Sequence, residues 1–110
     1  MKAWKSFYFE AAHFLPDNPQ VHGHSYRVVM WFATSASNPV SLSGIEKIEW
    51  QLKRMVDHRM LNELLPSPTM ESISEYLTNY ARQIIEAQRI DVIFLGIDID
   101  RHSINFGITS

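Results

Sequence analysis

The chain has 110 residues, 45% of them hydrophobic and 20% charged, with a net charge of −2 and no cysteine. That is a globular composition, long enough for one core. It excludes disulfides, thiolate metal sites and a cysteine nucleophile, and it supplies no long-range attraction for nucleic acid or an anionic membrane. The N-terminal MKAWKSFYFEAAH lacks the apolar core of a signal peptide, and no apolar run approaches the ~20 residues of a membrane helix. One domain over 1–110 is expected, in a reducing cytoplasm.

In chain order, the aromatic-rich AWKSFYFEAA (3–12) predicts a strand. FLPDNPQV (14–21), with two prolines, an aspartate and an asparagine, predicts a loop. The β-branched and aromatic HSYRVVMWFAT (24–34) predicts a second strand, so that the two form an antiparallel hairpin with an irregular connection. After the polar break 35–44, Ile45, Ile48, Leu52 and Met55 recur at helical steps, and Ser43 with Glu46 has the spacing of a capping box. LPSPT (65–69) interrupts the chain again. Ile73, Tyr76, Leu77, Tyr80, Ile84 and Ile85 then mark a longer amphipathic helix. DVIFLGIDI (91–99) and HSINFGI (102–108) read as closing strands around a turn at 100–102. The order β-β-α-α-β-β predicts an α+β fold, a four-stranded antiparallel sheet with two helices on one face. In the second strand, apolar residues occupy both parities: Val28, Met30 and Phe32 against Val29 and Trp31. Burial of both faces predicts that a second subunit covers the side without helices.

Three constellations carry chemistry. His22 and His24 flank Gly23 and share one face of an extended strand, while His13 ends the partner strand of the hairpin. Three converging imidazoles with an open fourth position match a catalytic zinc site, and other divalent ions also accept such ligands. His-X-His is also a short pattern that occurs by chance. Asp57 precedes His58 at the end of the first helix, where an aspartate can orient a general acid–base imidazole; the alternative is a histidine complementing the helix dipole. Thr69 can cap the second helix with Glu71 in its first turn, which is sufficient on its own, or the two can recognise a polar ring.

Taken together, these segments resemble the 6-pyruvoyltetrahydropterin synthase family, which includes the 6-carboxytetrahydropterin synthases of queuosine biosynthesis. FEAAHFLP resembles its first zinc-ligand segment and HGHSYRV its HGH-aromatic segment. VDHRMLN resembles its Leu-Asp-His…Leu-Asn motif, with Val56 for leucine, and SPTMESISEYL its Pro-Thr-x-Glu-Asn segment, with Ser72 for asparagine. GIEKIEWQLK is weakly similar to the stretch that starts the first helix, with Glu49–Trp50 the nearest match.

The resemblance implies the tunnelling fold, trimers closing into a barrel and stacking into a homo-hexamer, with active sites between subunits. It implies Zn2+ on His13, His22 and His24, and an acid–base pair Asp57–His58. Thr69 and Glu71 would then lie in the pterin-binding region. The late glutamate that anchors the pterin falls nearest Asp98. The implied substrate is 7,8-dihydroneopterin triphosphate, and the implied activity is a carbon–oxygen and carbon–carbon lyase. The sequence departs from the family twice. The catalytic cysteine four residues before HGH is Asn18 here, with Asp17 adjacent as a candidate replacement, and the late glutamate is an aspartate one methylene shorter. The expectation is a carboxytetrahydropterin synthase-like lyase. The alternatives are pyruvoyl-type or redirected side-chain chemistry, or a zinc- and pterin-binding protein with little catalysis.

Overall fold

A computed structural model covers residues 1–110. It consists of β1 (Lys2–Leu15), β2 (Asn18–Ala33), α1 (Leu42–Val56), β3 (Arg59–Met60), α2 (Met70–Gln88), β4 (Ile93–Arg101) and β5 (Phe106–Ile108). Short 3₁₀ turns occupy Leu61–Glu63 and His102–Ile104. The sheet order is β3-β1-β2-β4-β5. Four antiparallel strands are present as expected, but the last is shorter than the 102–108 expected: β4 continues through 100–101, the turn falls at His102–Ile104, and only Phe106–Ile108 pairs. A fifth, the two-residue β3, runs parallel to β1 and makes the sheet mixed. A segment this short carries no periodic pattern, so the sequence alone did not expose it.

The segment expected as a loop, 14–21, is strand. β1 and β2 run almost to the hairpin tip and leave only Pro16–Asp17 as the turn. The prolines do not break the ladder, because the register shifts between His13 and Leu15. On that stretch Phe14 opposes Pro19, Gln20 and Val21, so Pro19 sits in an irregularity where its missing N–H leaves no ladder bond unmade.

The helix-covered face of the sheet presents Phe7, Phe9, Tyr26, Val28, Met30, Phe32, Ile97 and Ile99. Against it pack Ile45, Ile48, Leu52 and Val56 of α1 and Ile73, Leu77 and Ala81 of α2. Fully burying a side chain of this size contributes about 1.5–3 kcal/mol, so this one cluster accounts for the placement of both helices. The first helix is capped by Ser41, whose hydroxyl accepts from the Gly44 N–H, and not by Ser43. Ser43 lies inside the helix with its hydroxyl 3.0 Å from that of Ser41.

The other face is not covered within the chain. Trp4 pairs directly with Trp31, and Trp4 and Tyr8 are exposed. On this face Arg27 donates to Asp100 Oδ2 at 2.8 Å and the Trp31 indole N–H to Asp98 at 2.8 Å, while Asp100 Oδ1 is buried without a partner. No helix is long and apolar enough to cross a membrane.

Candidate metal centre

The strand irregularity that accommodates Pro19 also sets the histidine geometry. Continued unbroken from Leu15↔Asn18, the hairpin register would pair His13 with Gln20. The shift instead places His13 opposite His22 and Ala11 opposite His24. All three histidines lie on the helix-covered side, His13 directly across from His22 and diagonal to His24. Their ring centroids form a nearly equilateral triangle with sides of 4.6, 5.0 and 4.7 Å, and the rings stand 68–86° to one another. Their candidate ligand atoms all lie within 4.8 Å of one another.

Backbone carbonyls decide the tautomers. The His13 Nδ1–H donates to the Pro68 carbonyl at 2.9 Å, and the His22 Nδ1–H to the Gln20 carbonyl at 2.7 Å. A neutral imidazole that donates from Nδ1 bears a lone pair at Nε2. The two Nε2 atoms nevertheless face each other at 3.0 Å. Nε2 of His24 is buried and has no partner. Burial holds His13 below its ordinary pKa against the opposing Pro68 bond, and burial pushes His24 down to about 4, with the charge of Arg101 adding to both shifts. Neutral nitrogens with converging lone pairs, oriented by carbonyls behind them, are what a divalent cation requires. The residues fit a zinc ion held by three nitrogens with one position open.

The Pro68 carbonyl connects this cluster to the start of α2. Thr69 is the N-cap, its hydroxyl accepting from the Ser72 N–H at 3.1 Å. Glu71 lies exposed in the first turn. The capping role of Thr69 is therefore present, and the same turn presents the carbonyl that orients His13.

The segment 56–62 runs along the free edge of β1 and pairs its unused backbone groups in sequence. Asp57 Oδ1 accepts from the Glu10 N–H at 2.9 Å, and the His58 N–H donates to the Glu10 carbonyl at 2.6 Å. Arg59 and Met60 pair with Ala11 and Ala12. Asn62 then takes both the N–H and the C=O of Phe14, at 2.9 and 3.0 Å. Asp57 thus holds the main chain of β1, while its second oxygen stands 3.7 Å from His58 Nε2, beyond hydrogen-bond range. His58, two residues past the end of α1, has a positive φ of 58°, a conformation uncommon outside glycine and asparagine. Its side chain is 80% exposed. It borders an open groove of about 480 Å³ with Glu10, Ala12, Gly23, Ser25 and Arg59. A Cβ on Gly23 would meet nothing closer than the Ala11 carbonyl at 3.7 Å, so the glycine keeps the groove floor open and is not demanded by packing.

Asp17 is an exposed residue of the hairpin tip and Asn18 the first residue of β2. At ~3.3 Å per residue, Asp17 is roughly 15 Å along the strand from His22 of the same chain. Asp98 lies on the face without helices, with both oxygens engaged: Oδ2 by the Trp31 indole and Oδ1 by the Ser110 N–H at 3.1 Å. The structure therefore brings together His13, His22, His24 and the Pro68–Thr69 turn. Within one chain it leaves Asp17 and Asp98 apart from them, while His58 lines one groove together with His24. The sequence reading missed the carbonyls of Gln20 and Pro68 and the clamp made by Asn62. Backbone acceptors have no side-chain signature, and only the asparagine of VDHRMLN was visible as a residue.

A family model, 6-pyruvoyl tetrahydropterin synthase, matches residues 2–98. The chain belongs to this family. No curated protein matches. Among solved structures, the chain is similar to a 6-pyruvoyl tetrahydropterin synthase from Caenorhabditis elegans, with TM-score 0.77 and 16% identity over 100% of this chain and 95% of the other. It is also similar to an uncharacterised protein from Wolinella succinogenes, with TM-score 0.68 and 15% identity over 92% of each chain. A 6-pyruvoyl tetrahydropterin synthase from Plasmodium vivax gives TM-score 0.60 and 12% identity over 90% of each chain. At such identities the structural likeness shows the fold, here the tunnelling fold, with its two helices against the sheet.

Proposed function

We propose that the protein is a zinc-dependent lyase of the 6-carboxytetrahydropterin synthase type, acting on the side chain of 7,8-dihydroneopterin triphosphate. The observation that carries this reading is the facing pair of Nε2 lone pairs on His13 and His22, beside the orphaned Nε2 of His24, in a chain of the pterin synthase family. Zinc, when bound there, supplies Lewis acidity to the oxygens of the substrate side chain. The residues of the chain then do the rest. His58 moves a proton at the side chain or the ring, with Asp57 fixing the corner it stands on. Asp17, in the loop position next to the missing cysteine, is the proposed second proton-transfer group. Given its place on the hairpin tip, it would serve the site of a neighbouring subunit. Thr69 and Glu71 are proposed to meet the pterin, and Asp98 to take the anchoring role once the ring displaces one of its internal donors.

The protein is further proposed to work in the cytoplasm as a homo-oligomer, a hexamer of two stacked trimers, as one 1–110 domain per subunit, with neither nucleic acid nor membrane as a partner. The open sheet face, with Trp4 and Tyr8 exposed, supports assembly. The deciding experiment is incubation of the zinc-loaded protein with 7,8-dihydroneopterin triphosphate and identification of the product by mass. A 6-carboxytetrahydropterin is expected. A 6-pyruvoyl or other shortened pterin would redirect the chemistry. Unchanged substrate beside bound zinc would mean that Asn18 in the cysteine position marks a lost or reassigned activity, and tight pterin binding without turnover would then support the second reading, a zinc- and pterin-binding protein.

A further inference from the structure

Arg101 ends β4, one residue past Asp100, which pairs with Arg27. By strand alternation its side chain follows Ile97 and Ile99 onto the helix-covered face, at the level of Tyr26. It is half-buried, yet it belongs to none of the four ion pairs of the chain. The carboxylates of its own strand point to the opposite face, where Asp100 Oδ2 takes Arg27 and Asp98 takes Trp31 and Ser110; Asp100 Oδ1 is left unpaired there. The register sets Arg101 level with Tyr26, two residues along β2 from His24, so it stands on the same face of the sheet as the histidine cluster and at the same end. In the same strip the hydroxyl of Tyr26, a residue only 1% exposed, is buried without a partner, as is Nε2 of His24. Tyr26 is fixed there by stacking on Phe9 at 4.8 Å, and its phenolic O–H is a donor at neutral pH. A buried hydroxyl without a partner is costly unless something satisfies it, and the guanidinium beside it, in no ion pair, has its donors free for a ligand.

We propose that Arg101 is the anion clamp of this site, a specificity residue whose planar fork grips the oxygens of a phosphate or carboxylate group on a ligand that also faces the His13–His22–His24 cluster, with the Tyr26 hydroxyl as an added donor. The fork geometry of a guanidinium matches two oxygens of either group. The inference deepens the function proposed above and rests on the histidine cluster being the ligand site.

The test is calorimetric titration of the zinc-loaded protein with inorganic phosphate and, separately, with pyruvate, in the wild type, Arg101→Gln and Arg101→Lys, with zinc content measured in each preparation. The wild type is expected to bind one of the two anions at least tenfold more tightly than Arg101→Gln, at equal zinc content. Arg101→Lys should recover part of the loss, since it keeps the charge but not the fork. The preferred anion separates a phosphate ligand from a carboxylate ligand. Equal affinity in wild type and Arg101→Gln, or no binding of either anion to the wild type, overturns the clamp. A wild-type protein that takes up no zinc overturns the metal reading instead, and the same titrations on it still decide Arg101.

Discussion

The histidine cluster and the Asp57–His58 corner lie at the same end of the sheet but are built in opposite ways. The cluster is finished within one chain. Two imidazoles are fixed by carbonyls, the third is buried, and the strand register sets their spacing. The corner has a rigid backbone, clamped to Glu10 by two hydrogen bonds, but its imidazole is 80% exposed and touches none of the cluster histidines. As proposed, the cluster is a preorganised ligand site and His58 a proton-transfer group held out on a sheet edge, and in that reading the two differ in what they need. The first would need only its ion. The second would need something to close over it, and a neighbouring subunit is the simplest candidate for a chain whose second sheet face is open.

The largest effect should come from breaking the finished half. His22→Ala and His24→Ala are each expected to lose stoichiometric zinc by elemental analysis and to drop turnover to background. Full zinc retention in either variant would sink this ligand set. The open half should behave differently. His58→Asn keeps a residue that tolerates the left-handed backbone, so folding and zinc content should hold while turnover falls about 10²-fold. Asp17→Ala should cost at least tenfold, again with zinc in place, and unchanged turnover would remove Asp17 from the mechanism.

Smaller is the effect of pH on the metal-free protein. His24 is pushed down to about 4 and His13 also lies below the ordinary 6.5. Between pH 6.5 and about 4 the unfolded chain therefore takes up protons that the folded chain refuses, and stability is lost as pH falls through that window. Denaturant melts at pH 7, 6 and 5 should show a falling midpoint. In His24→Gln the fall should be shallower, and an identical slope would contradict the burial assigned to His24. Smallest is Gly23→Ala. Its Cβ fits the backbone but projects into the groove beside His58, so KM should rise a few-fold with melting temperature unchanged. An unaltered KM would show that the groove is not used.

Much of this was legible from residue order. Helical steps at Ile45, Ile48 and Leu52 and at Ile73 and Leu77 are set by burial of one face per turn, and both helices bury those residues. The β-branched and aromatic run HSYRVVMWFAT likewise reads locally as a strand, and its Tyr26, Val28, Met30 and Phe32 all face the core. The errors arose where a local rule met a long-range partner. Proline content suggested a loop at 14–21, but cross-strand pairing absorbed Pro19 in a register shift. Ser43 and Glu46 had the spacing of a capping box, but the chain enters the helix at Ser41.

By itself, then, the sequence determined the histidines, their common face and the two helices, because side-chain period and residue chemistry are properties of short segments. Only the tertiary structure decided that His13 stands opposite His22, that Gln20 and Pro68 turn the rings, that VDHRMLN runs along β1 as an edge, and that Arg101 arrives without a counter-ion. Each of these depends on which backbone groups meet across distances in sequence of up to about ninety residues, and no local pattern encodes such meetings.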